Sequence, residues 1–469
     1  VTLRETYVSL VQNFYFIGDR IFSNIFPPRL RLVILSSRRN YFIAIINLSR
    51  FWSNLGHCED YKILKIIVIG GGAAGFFGAI TCASNHPQAT VILLEAGNQP
   101  LAKVRISGGG RCNVTHHCFD ALQLTQYYPR GGKALRGAFT RFQPKDTVEW
   151  FESRGVKLKT EADGRMFPVT NNSQTIIDCL MQQVTKTGVQ LQTGVVVKSI
   201  EKNTNFQVIL KNGEIIIGDR VLIATGSNPL GYRFAKNLGH SIELLVPSLF
   251  TFNIKDLRFK DLAGVSVANA RLILGSGKTK LEQTGAVLIT HWGLSGPAIL
   301  KLSAWGARFL AEAKYRSNLQ INWLPEYNSE TLKSYLLQVK ANNLKKQISS
   351  YCPVDLPKRL WQSLLSYLKI DRQKTWADLS KNELNKLILE LVRGEYKITG
   401  KGVFKEEFVT CGGVSLKEID FKTMESKICP GLYFAGEVLD IDGVTGGFNF
   451  QSAWTTSWLA GIAISRDNS

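Results

Sequence analysis

Four apolar residues, Ile66 to Ile69, run straight into Gly70-Gly71-Gly72, and Gly75 follows one helical turn later. In IIVIGGGAAGFFGAITCASNHPQATVILLE the spacing G-x-G-x-x-G therefore falls between two segments of different periodicity. The apolar run from Ile63 to Ile69 predicts a strand buried on both faces, and the stretch after Gly75 predicts a helix to about Ser84. SNHPQA reads as a turn, and TVILLE, closing on Glu95, predicts a second buried strand. Each glycine has a physical task in such a unit. Gly70 allows the tight turn, Gly72 lets backbone approach a pyrophosphate, and Gly75 lets the helix lie close to the strand. The free N–H groups of the helix start favour phosphate, and Glu95, about twenty residues after the last glycine, accepts ribose hydroxyls. A dinucleotide-binding α/β domain is predicted.

The chain of 469 residues is too long for one core, so more than one domain is expected. Its 57 Lys and Arg against 37 Asp and Glu give a formal charge of +20, which favours an anionic partner. The basic residues are scattered in pairs such as Arg38-Arg39 and Lys345-Lys346, the pattern of a solvated surface rather than a nucleic-acid tract. No stable nucleic-acid partner is expected, and no membrane, because LRLVILSS and YFIAIINL are each too short to span one. Eight cysteines without a C-x-x-C pair do not form a disulfide framework, so a cytoplasmic setting is expected. Residues 1–60 lack steady periodicity and are expected to be a leader, disordered or outside the fold.

Beyond Glu95, short alternating runs from about Gly188 to Asp219 predict a β-meander, with a turn at Asn212-Gly213. It leads into VLIATGSNP, another buried strand ending in Ala224-Thr225-Gly226. The string GSGKT invites a phosphate-loop reading, but Leu272 stands where the leading glycine is required, and a hairpin turn is expected instead. Residues 329–395 are rich in Lys, Leu and Asn at helical spacing, with Ser380 as an N-cap, and predict a small helical insert. The chain closes with a strand from Leu432 to Ala435, a long glycine loop and a last helix.

The motifs ISGGGRCNVTH, ITHWGLSGPAIL, TCGGVSLKEID and GLYFAGEVLDIDGVTGGFNFQSAW together resemble the BaiN/RdsA-like family of bacterial NAD(P)/FAD-dependent oxidoreductases, aminoacetone oxidase-like flavoproteins, over about residues 63–465. The resemblance implies an α/β fold: a discontinuous FAD-binding Rossmann-type domain (the two-dinucleotide-binding flavoprotein kind) carrying an inserted β-barrel-like domain and a small helical domain. The expected boundaries are 61–245 for the first FAD-binding part with its meander, 246–328 for the β-rich insert, and 329–395 for the helices. Residues 396–410 are expected as a return strand of the β-rich domain, and 411–469 as the C-terminal FAD-binding part. The implied activity is hydride transfer between a small organic substrate and FAD, with NAD(P)H or oxygen as second partner. The alternative is a flavin-bearing nucleic-acid-binding or RNA-modifying protein. No metal is expected.

Carried over by motif, Gly70, Gly72, Ala74 and Gly75 match the pyrophosphate loop and Glu95 the ribose acid. Lys103 matches a basic residue after that acid; where the family often has Gly-Arg-Lys, this chain has Leu101-Ala102-Lys103. Val197 resembles the residue whose backbone meets adenine, and Ala224, Thr225 and Gly226 match the turn after the meander. Gly436, Glu437, Gly446, Gly447, Phe448 and Asn449 match the loop around the pyrophosphate, ribityl chain and ring. The loop with Gly108, Gly109, Gly110 and Arg111 is implied to lie against the isoalloxazine. Cys112, next to Arg111, is a candidate catalytic thiol with a lowered pKa, and His291 is a candidate general acid or base. Cys112, His116, His117 and Cys118 superficially offer metal ligands, but adjacent histidines point apart in a strand and rarely share an ion.

Overall fold

The computed structural model describes residues 32–37, 40–45, 63–275, 280–402 and 409–465. Of the expected leader it describes two strands, Leu32–Ser37 and Asn40–Ile45, paired antiparallel; the rest of residues 1–60 lies outside the described residues. Those strands belong to a unit of their own, 1–62, and every other described element belongs to the unit 63–469.

Five parallel strands carry the first domain: β1 (Lys65–Ile69), β2 (Thr90–Leu94), β3 (Gln190–Gln192), β4 (Arg220–Ile223) and β5 (Leu432–Phe434), in the spatial order β5-β4-β1-β2-β3. Helix α1 (Ala73–Asn85) crosses from β1 to β2, and α2 (Phe448–Ile464) follows β5. Both faces of the sheet are covered, so Ile66–Ile69, Val91–Leu94 and Val221–Ile223 are all buried, as unbroken apolar runs require. Small residues bring the helices together. A Cβ on Gly461 of α2 would stand 2.6 Å from Cβ of Thr81 on α1. Glu425–Ser426 and Ile419–Asp420 extend the sheet antiparallel beyond β5.

The inserted domain is a seven-stranded antiparallel sheet in the order Gly394–Ile398, Ser317–Asn322, Ser266–Leu274, Leu281–Ile289, Gly293–Ser295, Phe252–Asn253, Gly400–Lys401. Its first and last members are neighbours in the chain, joined through Thr399, so the sheet curls round on itself. Leu272, Val287, Ile289, Leu294, Leu319 and Ile321 fill it. Three helices, Ser329–Asn342, Lys358–Tyr367 and Lys381–Arg393, cover one side. Asn328 and Ser380 cap the first and third through reciprocal capping boxes, Ser380 as expected. Buried Arg258 binds Asp256 and Glu390 and lies 3.7 Å from the Tyr396 ring centroid, joining barrel to helices. A ribbon of Ile242–Ser248 with Val409–Val414 runs between the two domains.

Three expectations change in detail. The meander has three strands, Val197–Lys202, Phe206–Leu210 and Ile215–Gly218, because Gln190–Gln192 instead pairs with β2 as the edge of the parallel sheet. The return strand begins at Gly394 rather than residue 396, since the third helix runs into it without a loop. Val409–Val414 belongs to the linking ribbon, so the return segment of the barrel ends before it. The turn GSGKT lies mostly outside the described residues; the strands flanking it pair antiparallel.

Candidate functional site

The carboxyl ends of β1, β2, β4 and β5 bring the sequence-predicted glycines into one crevice. A Cβ on Gly75 would fall 1.8 Å from the Gly70 carbonyl oxygen, so the helix lies directly under the turn. At Gly72, the N-cap of α1, a Cβ would meet nothing within 4 Å, and no side chain caps the helix. The first turn of α1 thus presents free N–H groups to an open space, which is what a pyrophosphate needs. Gly436 comes against Ala74 from the other side, with 2.9 Å from its virtual Cβ to that of Ala74.

Glu95 accepts hydrogen bonds from Gly71 N at 2.6 Å and Gly97 N at 2.7 Å, one on each carboxylate oxygen. Each oxygen keeps a lone pair for a ribose hydroxyl. Val195 N donates to the Glu95 carbonyl at 2.9 Å and so draws the start of the meander beside it; Val197 is buried there. Lys103 Nζ donates to Glu437 Oε2 at 2.8 Å and to Ser227 Oγ at 2.9 Å, bridging the loops after β4 and β5. Ala224 N is held by the Ile69 carbonyl, and Gly226 adopts φ +59° near Glu437. The Thr225 hydroxyl is buried without a partner among the described residues.

A second group forms where the loop 107–118 meets the loop 443–449. Helix Ala102–Gly110 breaks at Ser107, and Gly108, Gly109 and Gly110 continue with φ of 57°, 70° and 82°. Virtual Cβ atoms on Gly109 and Gly110 meet nothing within 4 Å, so bare backbone faces an open space. Gly447, the N-cap of α2, lies so close to Thr115 that its Cβ would be 2.5 Å from that carbonyl oxygen. With its amide turned as its neighbours demand, Asn113 accepts from Gly447 N at 2.9 Å and donates to Thr115 O at 3.0 Å. Asn449 closes the glycine loop on itself, accepting from Gly443 N at 2.8 Å and donating to Gly443 O at 2.9 Å. Phe448, Tyr127 and His116 cluster ring to ring, with centroids 4.3 Å apart for Tyr127–Phe448, 4.6 Å for His116–Phe448 and 5.7 Å for His116–Tyr127.

The polar residues of the opening loop take other parts than expected. Arg111 donates to Glu161 Oε1 at 2.6 Å and lies over the Phe167 ring, 3.9 Å from its centroid, so its charge is already matched. Cys112 is buried, and burial pushes its thiol up to about 12 despite a hydrogen bond from Ser107. The lowering expected from its neighbour Arg111 is absent because that guanidinium is held by Glu161. His116 and His117 diverge: the first stacks on Phe448, while the second lies tilted against Phe119, with centroids 4.4 Å apart. Burial, with the charges of His117 and Lys301 adding to it, keeps the His116 imidazole below its ordinary value even though Asp163 opposes. Its Nε2 donates to the Asp163 carbonyl at 3.1 Å, and Nδ1 is buried without a partner among the described residues. His291 is exposed beside the turn into Gly293–Ser295 and makes no side-chain hydrogen bond or ion pair among the described residues.

Two ion pairs escaped the sequence reading. Asp442, wholly buried in the glycine loop, pairs with Arg130 and accepts from Ser248 Oγ at 2.7 Å. Arg130 also donates to the Ala304 carbonyl, so one guanidinium ties the glycine loop to the inserted domain. Asp440 accepts both its bonds, 2.8 and 2.9 Å, from Arg308. The two acids of DIDG were the available signal, but nothing local names partners 312 and 132 residues away.

Gly-rich turn, uncapped helix start, an acid closing the second strand and a second glycine loop at another helix start together fit FAD as the cofactor. The fold and site define a Rossmann-type flavoprotein, and the chain is an oxidoreductase of that class. It belongs to the family described as HI0933-like protein Rossmann domain, whose model matches residues 64–463. It is 30% identical to the 3-dehydro-bile acid delta(4,6)-reductase of Clostridium scindens, covering 85% of this chain and 98% of that one. It is also 30% identical to the ribosomal RNA dihydrouridine synthase of Escherichia coli, covering 84% and 96%. Among solved structures, the 3-ketosteroid-delta4-(5alpha)-dehydrogenase of Rhodococcus jostii is similar at 12% identity and a TM-score of 0.45, covering 88% of this chain and 99% of that one.

Proposed function

We propose that this protein saturates a carbon–carbon double bond conjugated to a carbonyl, with a nicotinamide as the source of reducing equivalents. The observation that carries this reading is the open face over Gly109 and Gly110, in the same loop that meets the uncapped start of α2 and the cluster of Tyr127, Phe448 and His116. A planar conjugated ring can lie on bare backbone there, because no Cβ intrudes. When bound and reduced by the nicotinamide, the flavin would supply a hydride to one carbon of the double bond, and a proton drawn from solvent would complete the addition of two hydrogens. The chain's own residues supply the setting. The N–H groups of α2 favour negative charge at the loop, and the aromatic cluster walls off water. Both named relatives fit this chemistry, since a delta(4,6)-reductase and a dihydrouridine synthase each saturate a ring double bond.

A second reading names the ring: a uracil within RNA, held only for the turnover. The charge of +20 favours it over an uncharged ring. The free cysteines Cys82, Cys112, Cys118, Cys179, Cys352, Cys411 and Cys429 fit a reducing, cytoplasmic compartment, and no helix among the described residues is long and apolar enough to cross a membrane.

The test starts from the visible spectrum of the purified protein. Its flavin bands are expected to bleach anaerobically with NADH or NADPH and to return on adding either a dienone steroid or a uridine-containing RNA. The product should be heavier by two hydrogens. A colourless protein that FAD does not reconstitute, or a reduced flavin that neither acceptor reoxidises, refutes the proposal.

A further inference from the structure

We infer that the tip of the barrel carrying Trp292 is a stacking platform for an unpaired base of single-stranded RNA flanking the reacting ring; this rests on the RNA reading above. Trp292 is 73% exposed, between the strands Leu281–Ile289 and Gly293–Ser295. Its backbone is nevertheless fixed at both ends. Its N–H donates to Thr290 Oγ1 at 3.3 Å, and its carbonyl accepts from Ile254 N at 2.9 Å. An indole held out in water on a pinned backbone gains by covering its face, and a nucleobase offers a matching flat surface.

The surroundings select the occupant. The bond to Ile254 places the segment 254–261 alongside, where Lys255 and Lys260 are exposed and Leu257 is 77% exposed. Arg359 donates to the Asp261 carbonyl, so the exposed Lys358 and Arg359 at the start of their helix join the same end of the barrel. Asp256 is bound to Arg258, which leaves Asp261 and, ahead of the helix, Asp355 as two exposed carboxylates against four exposed cations. Cations beside an exposed aromatic are what a phosphate backbone with splayed bases requires, and a neutral sterol would gain nothing from them.

Position agrees. The chain runs from Trp292 through Gly293–Ser295 into the helix Pro297–Trp305, where Lys301 acts on His116. Nine residues of that path span at most about 23 Å. A platform at that reach lies within the roughly 4–16 nucleotides that a single-strand-binding domain covers.

The experiment titrates FAD-loaded full-length protein into a fluorescent oligouridylate at several salt concentrations. Trp292→Ala is expected to weaken binding about ten- to a hundredfold, Trp292→Phe to retain most of it, and both to leave the salt slope unchanged. Replacing Lys255 and Lys260 together by Gln should flatten that slope instead. Thermal unfolding and flavin content of each variant show that the fold is intact. Wild-type binding with Trp292→Ala equal to it overturns the platform and leaves the RNA reading standing. Wild-type protein that binds no oligouridylate while a dienone steroid reoxidises its flavin overturns both.

Discussion

Gly75 lies so close beneath Gly70 that a side chain on one would occupy the carbonyl of the other: the virtual Cβ of Gly75 is 1.8 Å from Gly70 O. Three residues earlier, Gly72 faces open space. Two glycines of one motif thus sit in opposite surroundings: the fold itself requires the first, and the second leaves space beside the helix start.

Alanine substitution separates these roles. Gly75→Ala forces helix and strand apart and should cost at least about 2–3 kcal/mol, seen as a lowered Tm together with loss of flavin. Gly72 has φ −89° and ψ −171°, which alanine adopts without strain. Gly72→Ala should keep its Tm without ligand yet bind FAD at least about tenfold more weakly, as titration of the apoprotein would measure. Equal losses of Tm in both would contradict the distinction.

The buried Cys112 thiol, raised to about 12, leaves on the order of one molecule in ten thousand as thiolate near pH 8. Iodoacetamide should therefore leave Cys112 unlabelled in the folded protein, with peptide mass spectrometry as the readout. Cys112→Ser should reduce its flavin within about threefold of the wild-type rate. Rapid labelling would restore the thiol as a catalytic candidate.

Removing one partner of the Arg130–Asp442 pair strands the other's charge where Asp442 is wholly buried and Arg130 largely so. Asp442→Ala is expected to destabilise by about 3–5 kcal/mol in denaturant unfolding. The charge-free double variant Arg130→Met, Asp442→Leu should recover most of that loss. Additive losses in the double variant would mean that the two residues act separately.

Glu383 supplies a pH signature in the helical insert. Hydrogen bonds from Lys374 Nζ at 2.7 Å and Ser380 N at 2.9 Å hold its carboxylate down to about 2. A depressed acid stabilises the fold above its ordinary value and loses that contribution as pH falls through the folded one. Because the group is partly exposed, Glu383→Gln should cost about 1 kcal/mol at neutral pH. The gap between variant and wild type should narrow below about pH 5 and close near pH 2. A gap independent of pH would assign the loss to helix capping alone.

What the sequence makes legible is local. The βαβ unit is written in adjacent residues, from Ile66 through Gly75 to Glu95, and β1, α1 and β2 form within a residue or two of expectation. Ser380 announces its helix because a capping box spans four residues. Long-range relations are different in kind. Asp442 gives no sign of Arg130, nor Glu161 of Arg111, because an ion pair leaves no spacing rule when its members are far apart in the chain. The Cys112 expectation went astray similarly. Its sequence neighbour Arg111 is adjacent along the chain but engaged elsewhere, and burial by distant elements sets the thiol. His116 carries no expected role in the sequence beyond a superficial likeness to a metal ligand, and its stacking on Phe448 depends on a helix more than three hundred residues later.

The joining of the barrel's two edge strands through Thr399 bears on how the chain is made. Phe252–Asn253 can pair early with Gly293–Ser295, but its other edge stays open until Gly400–Lys401 is synthesised, after all three helices of the insert. The parallel sheet likewise waits for Leu432–Phe434 to flank Arg220–Ile223. A nascent chain stopped anywhere in the helical insert therefore exposes two unfinished sheets at once. Premature termination should yield aggregation-prone fragments rather than a shorter working enzyme.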